Sequence, residues 1–264
     1  MHDWTAEARK WASAMTPKVR GNLCRHLGLP DTALDCFPLL GLREDQGGKH
    51  FTFPEVDGRG RVVGLCRRYG DGQKFQLKGG ERGLSVPHGF DPKTCKVVYC
   101  VEGPTDVAAV WASGLPAVGR PSNTAGAGEL ACLLQDCPDD CRIVLVGEND
   151  RKADHDWPGL HGAAQVADQV ASILQRRPGC KKYPVTWSLC PDGVKDVRAW
   201  LTRPAWGVTP WAERGRQLAA KLDAGAVVAE PVDKVVRKLM AEHEQLKRDM
   251  AEVRAMLSAI LQKA

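Results

Sequence analysis

Apolar residues along this chain follow two rhythms, and the change between them falls near residue 93. Between His50 and Gly80, apolar and polar residues alternate between glycine-containing turns, as in HFTFPEVDGRGRVVGLCRRYGDGQKFQLKGG. Alternation with a period of two predicts strands that bury one face, so this segment predicts a β-meander. We therefore expect residues 1–92 to form a small α+β subdomain.

From residue 93 to 203, short apolar runs alternate with helix-like segments. The runs are KVVYCV, LPAVG, RIVLVG and YPVTWSL, and they are separated by TDVAAVWAS, GELACLLQDC and GLHGAAQVADQVASILQRR. Strands that are apolar on both faces and alternate with helices predict a parallel sheet covered on each side. The predicted fold class is α/β, with a Rossmann-like parallel-sheet domain over residues 93–203.

The last sixty residues divide into two further segments. Residues 204–231 are rich in Pro, Trp, Gly and Ala and predict a linker, whose helical piece WAERGRQLAAKLDAG packs loosely or extends the domain. In residues 232–264, a seam with alternating four-three spacing is apolar at every position except His243. Its positions are Val232, Val236, Leu239, His243, Leu246, Met250, Val253, Leu257 and Ile260. This spacing predicts a coiled coil that makes the chain a homo-oligomer. The alternative is one amphipathic helix lying on the domain.

Composition narrows the class of protein. The chain has 264 residues, which is enough for a sizeable core, and it contains no run of 18 apolar residues that could cross a membrane. The N-terminal MHDWTAEARKWASAM carries acids and lacks the apolar centre of a signal peptide. We therefore expect a cytoplasmic protein with no membrane partner.

The ten cysteines do not follow the spacing of a metal site. There is no Cys-x-x-Cys pair, and Cys132, Cys137 and Cys141 are separated by four and three residues. Several stand in apolar runs such as VVYC and ELACLL. We expect them to be buried, reduced thiols that act as small hydrophobic side chains.

Positive charge is concentrated in the β-meander. Between Arg59 and Arg82 there are seven basic residues against two acids, although the whole chain has a net charge of only +5. Such a patch suits a polyanion, and a solvated strand face is the alternative. The candidate nucleic-acid contacts are Arg67, Arg68, Lys74, Lys78 and Arg82. The neighbouring Phe75 is either a base-stacking residue or part of the core.

Acidic residues follow three strands of the predicted parallel sheet. Glu102 ends VVYCV with Asp106 one turn later, Glu148 and Asp150 follow RIVLVG, and Asp192 and Asp196 follow VTWSL. Ligands of open parallel sheets bind outside the carboxyl ends of the strands, so we expect these side chains to converge. Carboxylates without His or Cys favour Mg²⁺ or Mn²⁺, and Mg²⁺ is commonly shared with substrate phosphates. The pattern therefore predicts metal-dependent phosphate chemistry.

These motifs resemble the Toprim domain. VEGPTDV is similar to its first motif, a glutamate after a strand followed by glycine and, four residues on, aspartate; VLVGEND is similar to its second, a strand followed by Asp-x-Asp. GLHGAAQVA resembles the glycine and helix that follow, and PDGVKDVRAWL resembles the third acidic segment of primase-type Toprim domains. The resemblance covers residues 96–202. The preceding segment GRVVGLCRRYGDGQKFQLKGGERGLSVP also resembles the N-terminal subdomain of DnaG-type bacterial and phage primase cores.

The resemblance implies roles for the acids. Glu102 would be the acid-base residue or a carboxylate next to the metal, Glu148 and Asp150 would be metal ligands, and Asp106 and Asp196 would support or complete the site. Two departures stand out: Glu148 replaces the first Asp of Asp-x-Asp, and RKADHDWP is inserted after Asp150. The acids of the insert, Asp154 and Asp156, would be further ligands or decorate a surface loop.

Three functions remain open at this stage. The first is a primase-type nucleotidyltransferase that uses Mg²⁺ or Mn²⁺, a single-stranded DNA template and nucleoside triphosphates, on a phage, plasmid or other mobile element. The sequence carries no zinc module and no GxxxxGK[ST] phosphate loop, so a helicase or zinc-module partner would act in trans. The second is a Toprim nuclease with water as nucleophile, and the third is a non-catalytic nucleic-acid-binding assembly protein.

Overall fold

The computed structural model describes residues 2–45, 48–70, 73–152, 156–176, 184–230 and 234–261, with side chains in the last stretch at 240 and 242–254. The chain divides into two compact units, Met1–Glu230 and Pro231–Ala264.

The first unit begins with two helices and a four-stranded antiparallel sheet. The helices are α1 (Trp4–Ala12) and α2 (Pro17–His26), and the strands, in spatial order, are β1 (Gly41–Asp45), β2 (Gly48–Val56), β3 (Val62–Tyr69) and β4 (Lys74–Gln76). This is the meander that the alternating pattern predicts. Each helix begins at a side-chain cap, since Asp3 accepts from Ala6 N–H and Thr16 from Val19 N–H. Helix α1 buries Ala8 and Trp11 together with Leu65 of β3.

A second, five-stranded sheet follows. Its strands are β5 (Val97–Glu102), β6 (Ala117–Arg120), β7 (Arg142–Gly147), β8 (Val185–Leu189) and β9 (Val227–Val228), in the spatial order β6-β5-β7-β8-β9. The first four are parallel, and β9 pairs antiparallel with β8. The helices between and after them are α3 (Pro104–Ala112), α4 (Ala127–Leu134), α5 (Pro158–Gln175), α6 (Val197–Thr202) and α7 (Trp211–Ala224). The α/β class with a mainly parallel sheet is confirmed.

Two hydrophobic cores form on opposite faces of this sheet because alternate strand residues point to opposite sides. Val98 and Cys100 of β5 belong to the core shared with α4 and α5. Tyr99 and Val101 belong to the core shared with α3, α6 and α7, and Phe53 of β2 joins that same core. The small antiparallel sheet is therefore held against the parallel sheet by common apolar burial.

Residues 204–230 are integrated into this unit. Leu218 and Leu222 of α7 are fully buried in the core on the α3 side, so the helical piece extends the domain and does not pack loosely. Ala229 N–H donates to the Val185 carbonyl beside the β8–β9 pair.

The second unit contains one long helix, α8 (Lys234–Leu261). Among the described seam residues, Leu246, Met250 and Val253 are more than half exposed. Val232 lies outside the described residues, as do the side chains of Val236, Leu239, Leu257 and Ile260. The coiled coil therefore stays a prediction. Across the described part of the chain, no helix is both long and apolar enough to cross a membrane.

The cysteine prediction is confirmed for the described residues. Every described cysteine is a free thiol, and all of them except Cys132 are buried. Desolvation by burial is the main reason that the pKa of the Cys100 thiol rises to about 12, which keeps it protonated at neutral pH.

Candidate active site

Four carboxylates line one small cleft at the carboxyl ends of the parallel strands. Glu102 is the last residue of β5, Glu148 follows β7, Asp106 stands in the first turn of α3, and Asp196 is the N-cap of α6. The apolar part of the lining comes from the same strand ends and from α6, namely Val101, Val146, Gly147 and Val197. The convergence expected from the strand order is therefore present for these four acids.

Asp106 is the most deeply buried of the four, with 4% of its surface exposed. Its Oδ1 accepts the backbone N–H of Arg198 at 3.2 Å. Burial, followed by the negative charge of Asp196, raises the pKa of Asp106 to about 8, although the cations Lys74 and Arg198 oppose the rise. In the absence of a further cation, this carboxyl holds a proton at neutral pH.

Glu148 is also partly desolvated. Burial and then the charge of Glu102 raise its pKa, and Lys195 opposes the rise from 3.6 Å, the distance from its Nζ to Oε2. Asp196 caps α6 by accepting the Ala199 N–H at 2.7 Å. The repulsion between the carboxylates of Glu102 and Glu148 is relieved when a cation binds.

Asp150 is not among the residues that line the cleft, and its assignment as a metal ligand stays a prediction. Its Oδ1 accepts the N–H of Gly159 at 2.8 Å, so the carboxylate closes the first turn of α5. Gly159 must be glycine, because a Cβ there would lie 2.0 Å from the Glu148 carbonyl oxygen. Asp150 thus fixes the chain that carries Glu148 against α5.

The remaining acids of these segments serve the fold or lie on the surface. Asp192 accepts hydrogen bonds from Trp200 Nε1, Arg203 and Lys221 at 2.7–3.0 Å. Asp156 is exposed and pairs with Lys152 at 3.5 Å. Asp154 lies outside the described residues.

The donor chemistry of the cleft fits Mg²⁺ or Mn²⁺. Its polar lining consists of carboxylate oxygens, the hard ligands that these ions prefer. Within the described ranges, no three His, Cys, Asp or Glu side chains already stand in ligating geometry. Mg²⁺ commonly needs only one or two protein carboxylates and completes its shell with water and substrate phosphates, so the residues present suffice.

Two of the predicted basic contacts face this cleft. Arg68 of β3 and Lys74 of β4 are directly paired across the strands, so their side chains share one face of the small sheet. Lys74 acts electrostatically on Asp106 and Glu148. The pKa of Arg68 is lowered by burial and by Arg198, and Asp106 opposes that shift.

Arg67 lies on the opposite face of the small sheet. Its guanidinium donates to Tyr69 Oη at 3.5 Å and lies 3.9 Å from Asp45. On this face Phe75 is 48% exposed and forms an edge-to-face contact with Tyr69. Phe75 is therefore not a core residue.

The other two predicted contacts have different surroundings. Lys78 lines a separate open pocket with Trp4. Arg82 pairs with the buried Glu55 at 3.0 Å and also donates to the Pro121 carbonyl, so it bridges β2 to the segment after β6.

One charged residue beside the acids escaped the sequence analysis. Arg120 ends β6, paired in register with Glu102, and is 1% exposed. A single arginine after the short run AVG carries no signal of burial, since arginine is mostly exposed in proteins.

The fold that carries this cleft is similar to that of the catalytic cores of DnaG-type primases. The chain is similar to a DnaG primase catalytic domain solved bound to ssDNA, with a TM-score of 0.59 at 15% identity over 85% of this chain and 78% of that one. It is similar to the E. coli primase catalytic core, with a TM-score of 0.56 at 15% identity over 90% and 83% of the two chains. A DNA primase domain from Pseudomonas aeruginosa gives a TM-score of 0.57 at 17% identity over 85% and 78%. No protein-family model and no curated protein matches the sequence.

Proposed function

We propose that this chain is a primase-type nucleotidyltransferase that synthesises primers on a single-stranded DNA template. One observation carries the proposal: carboxylates from separate strand ends share one cleft, and Lys74 from the small sheet acts on them. Phosphoryl transfer depends on positioning and charge neutralisation. Carboxylates that bind metal ions, next to basic side chains that bind phosphates, can supply both.

Glu102 and Glu148 are the residues we propose as the metal-holding carboxylates, with Asp106 and Asp196 completing the site. A divalent cation, when bound, would favour ionisation of the attacking 3′-hydroxyl and neutralise the triphosphate. Asp150 enters the proposal through its bond to Gly159, by holding the segment that carries Glu148. The one-methylene difference between Glu148 and the aspartate of the family motif is compatible with ligation, since both offer carboxylate oxygens.

Arg68 and Lys74 are the proposed contacts for the template or the nucleotide phosphates. Their position on the face toward the acids supports this role. Arg67, Lys78 and Arg82 would act on the template further from the chemistry, by sequence-independent attraction to its backbone. The likeness in fold to a primase domain solved with ssDNA supports a single-stranded template.

Partners in trans complete the proposal. A helicase or a zinc module on another chain would select the template, and the heptads of residues 232–264 would make the protein a homo-oligomer. The mobile-element setting and the cytoplasmic location remain part of this proposal.

The deciding experiment incubates the protein with single-stranded DNA, nucleoside triphosphates and Mg²⁺ and resolves the products by length. New oligonucleotides support the proposal, shortened template indicates a nuclease, and unchanged DNA that is still bound indicates an assembly protein. E102Q and E148Q should each reduce synthesis by more than about 100-fold. D140N, at an exposed acid in the loop before β7, is the matched control and should keep full activity. Unchanged synthesis in both glutamate variants would place the chemistry elsewhere.

A further inference from the structure

Arg120 occupies an unusual position for a cation. It is fully buried at the carboxyl end of β6, and the strand register places it beside Glu102 of β5. Burying a guanidinium is costly unless it is paired or hydrogen-bonded, so the fold must supply it with partners.

Backbone carbonyls supply most of these partners. The Arg120 guanidinium donates to the carbonyls of Ser122 and Asn123, in the loop after β6, and to that of Val146 in β7 at 2.8 Å. Because β5 lies between β6 and β7, the side chain reaches across the end of the strand that carries Glu102. Its Nε is buried and has no hydrogen-bond partner within the described structure.

The charge of Arg120 acts on the acids of the cleft. Burial lowers the pKa of its guanidinium, and the negative charges of Glu102 and Glu148 oppose that change. The three carbonyl bonds hold the cation at this position.

The loop that Arg120 holds is also tied to other parts of the molecule. Asn123 Nδ2 donates to the Pro158 carbonyl at the start of α5, and Arg82 donates to the Pro121 carbonyl from the side of the small sheet. Arg120 is therefore bonded to a loop that is itself tied to α5 and to Arg82.

We propose that Arg120 is a built-in counter-cation of the acid cleft, a positioning residue whose fixed charge offsets the repulsion between Glu102 and Glu148 before a metal binds and, by repelling the incoming divalent ion, weakens metal binding. This inference rests on the proposed metal site. A fixed positive charge repels an incoming divalent ion, and a neutral side chain at residue 120 would leave the acids dependent on that ion.

The test measures Mn²⁺ affinity by titration calorimetry at pH 8, and the rise in Tm that Mn²⁺ causes, for the wild type and four variants. R120M and R120Q remove the charge, and R120K keeps it. R214M is the matched control, because Arg214 also donates to three carbonyls, those of Thr209, Leu201 and Gly207, while no acid contributes to its pKa shift.

We expect R120M and R120Q to bind Mn²⁺ about tenfold more tightly than the wild type and to gain more Tm from it. R120K and R214M should stay within about twofold of the wild-type affinity, even where R214M is less stable. Equal or weaker Mn²⁺ binding by both neutral variants would overturn the inference, as would a failure of both to fold even with Mn²⁺. If the wild type itself binds no Mn²⁺, the proposed function fails at its metal site, which is a separate result.

Discussion

The Nζ atom of Lys74 lies 3.4 Å from the position that a Cβ would occupy on Gly103. Gly103 has φ 78° and ψ 168°, a conformation open in practice only to glycine, and it joins Glu102 to α3. We expect G103A to lower the free energy of unfolding by about 1–3 kcal/mol, measured by urea denaturation. G128A in α4, where a Cβ meets nothing within 4 Å, should be neutral or stabilising by up to about 1 kcal/mol.

Lys74 itself should matter more for nucleotide binding than for stability. K74M removes the cation that acts on Asp106 and Glu148, so we expect nucleoside triphosphate affinity and primer synthesis to fall by about 10- to 100-fold. K78M removes a cation at the separate Trp4 pocket and should leave nucleotide affinity within about twofold. Equal losses in both variants, measured by equilibrium binding of a labelled nucleotide, would contradict the placement of Lys74 at the cleft.

Asp106 should make stability fall with rising pH. Its folded pKa of about 8 lies above the ordinary aspartate pKa of 3.8, so between these two pH values the native state binds more protons than the unfolded state. The stabilisation is complete below about pH 4 and is lost as the pH rises through about 8. In EDTA, D106N should therefore be more stable than the wild type at pH 8 by at least about 1 kcal/mol, and the difference should vanish at low pH. The exposed control D140N should follow the wild-type profile in the same denaturation series.

The Arg82–Glu55 pair predicts that the loss of stability caused by R82M grows as the pH rises. Burial raises the pKa of Glu55 to about 7, and Arg82 opposes that rise. R82M removes this opposition, so the loss of unfolding free energy should be small at pH 5.5, where Glu55 is protonated, and about 1–3 kcal/mol at pH 8.5. Because the Arg82 side chain is half exposed, solvent screens the pair, and we expect a loss at the lower end of this range. E55Q in the same chain should restore most of the loss; a pH-independent penalty would show that Arg82 acts through its other bond, to Pro121.

The last helix offers a direct test of self-association. If Leu246 lies in a coiled-coil seam, L246D should dissociate the oligomer, which sedimentation velocity would detect as a lower mass. Met240 is similarly exposed but lies outside the predicted seam, so M240D should leave the mass unchanged. A wild-type protein that sediments as a monomer would reject the coiled coil.

The sequence pattern predicted the parallel sheet and the cleft for one physical reason. Strands buried on both faces must be nearly continuous apolar runs, and VVYCV and RIVLVG are such runs. Acids at the ends of adjacent parallel strands must then meet, which is why the sequence alone predicts that Glu102 and Glu148 lie close together.

The features that the pattern did not predict depend on contacts distant in sequence. Asp150 turns to the N–H of Gly159, beyond an inserted segment whose path has no local signal. The burial of Arg120 depends on the Val146 carbonyl, twenty-six residues away. Strand β9 has only two residues, too few for a periodic pattern. It pairs with β8, although α7 lies between the two strands in the sequence. Patterns of neighbouring residues predict neither a single long-range hydrogen bond nor the pairing of a two-residue strand.

The buried thiols can report local opening in different parts of this protein. Cys66 lies in the small sheet, Cys100 in β5 of the parallel sheet and Cys190 beside the acid cleft. An alkylating reagent can reach each sulfur only when its surroundings open. The rate at which each cysteine is alkylated, measured by mass spectrometry, would therefore report how often that region opens. Comparing those rates with and without nucleotide would reveal which layer of the molecule tightens around its substrate.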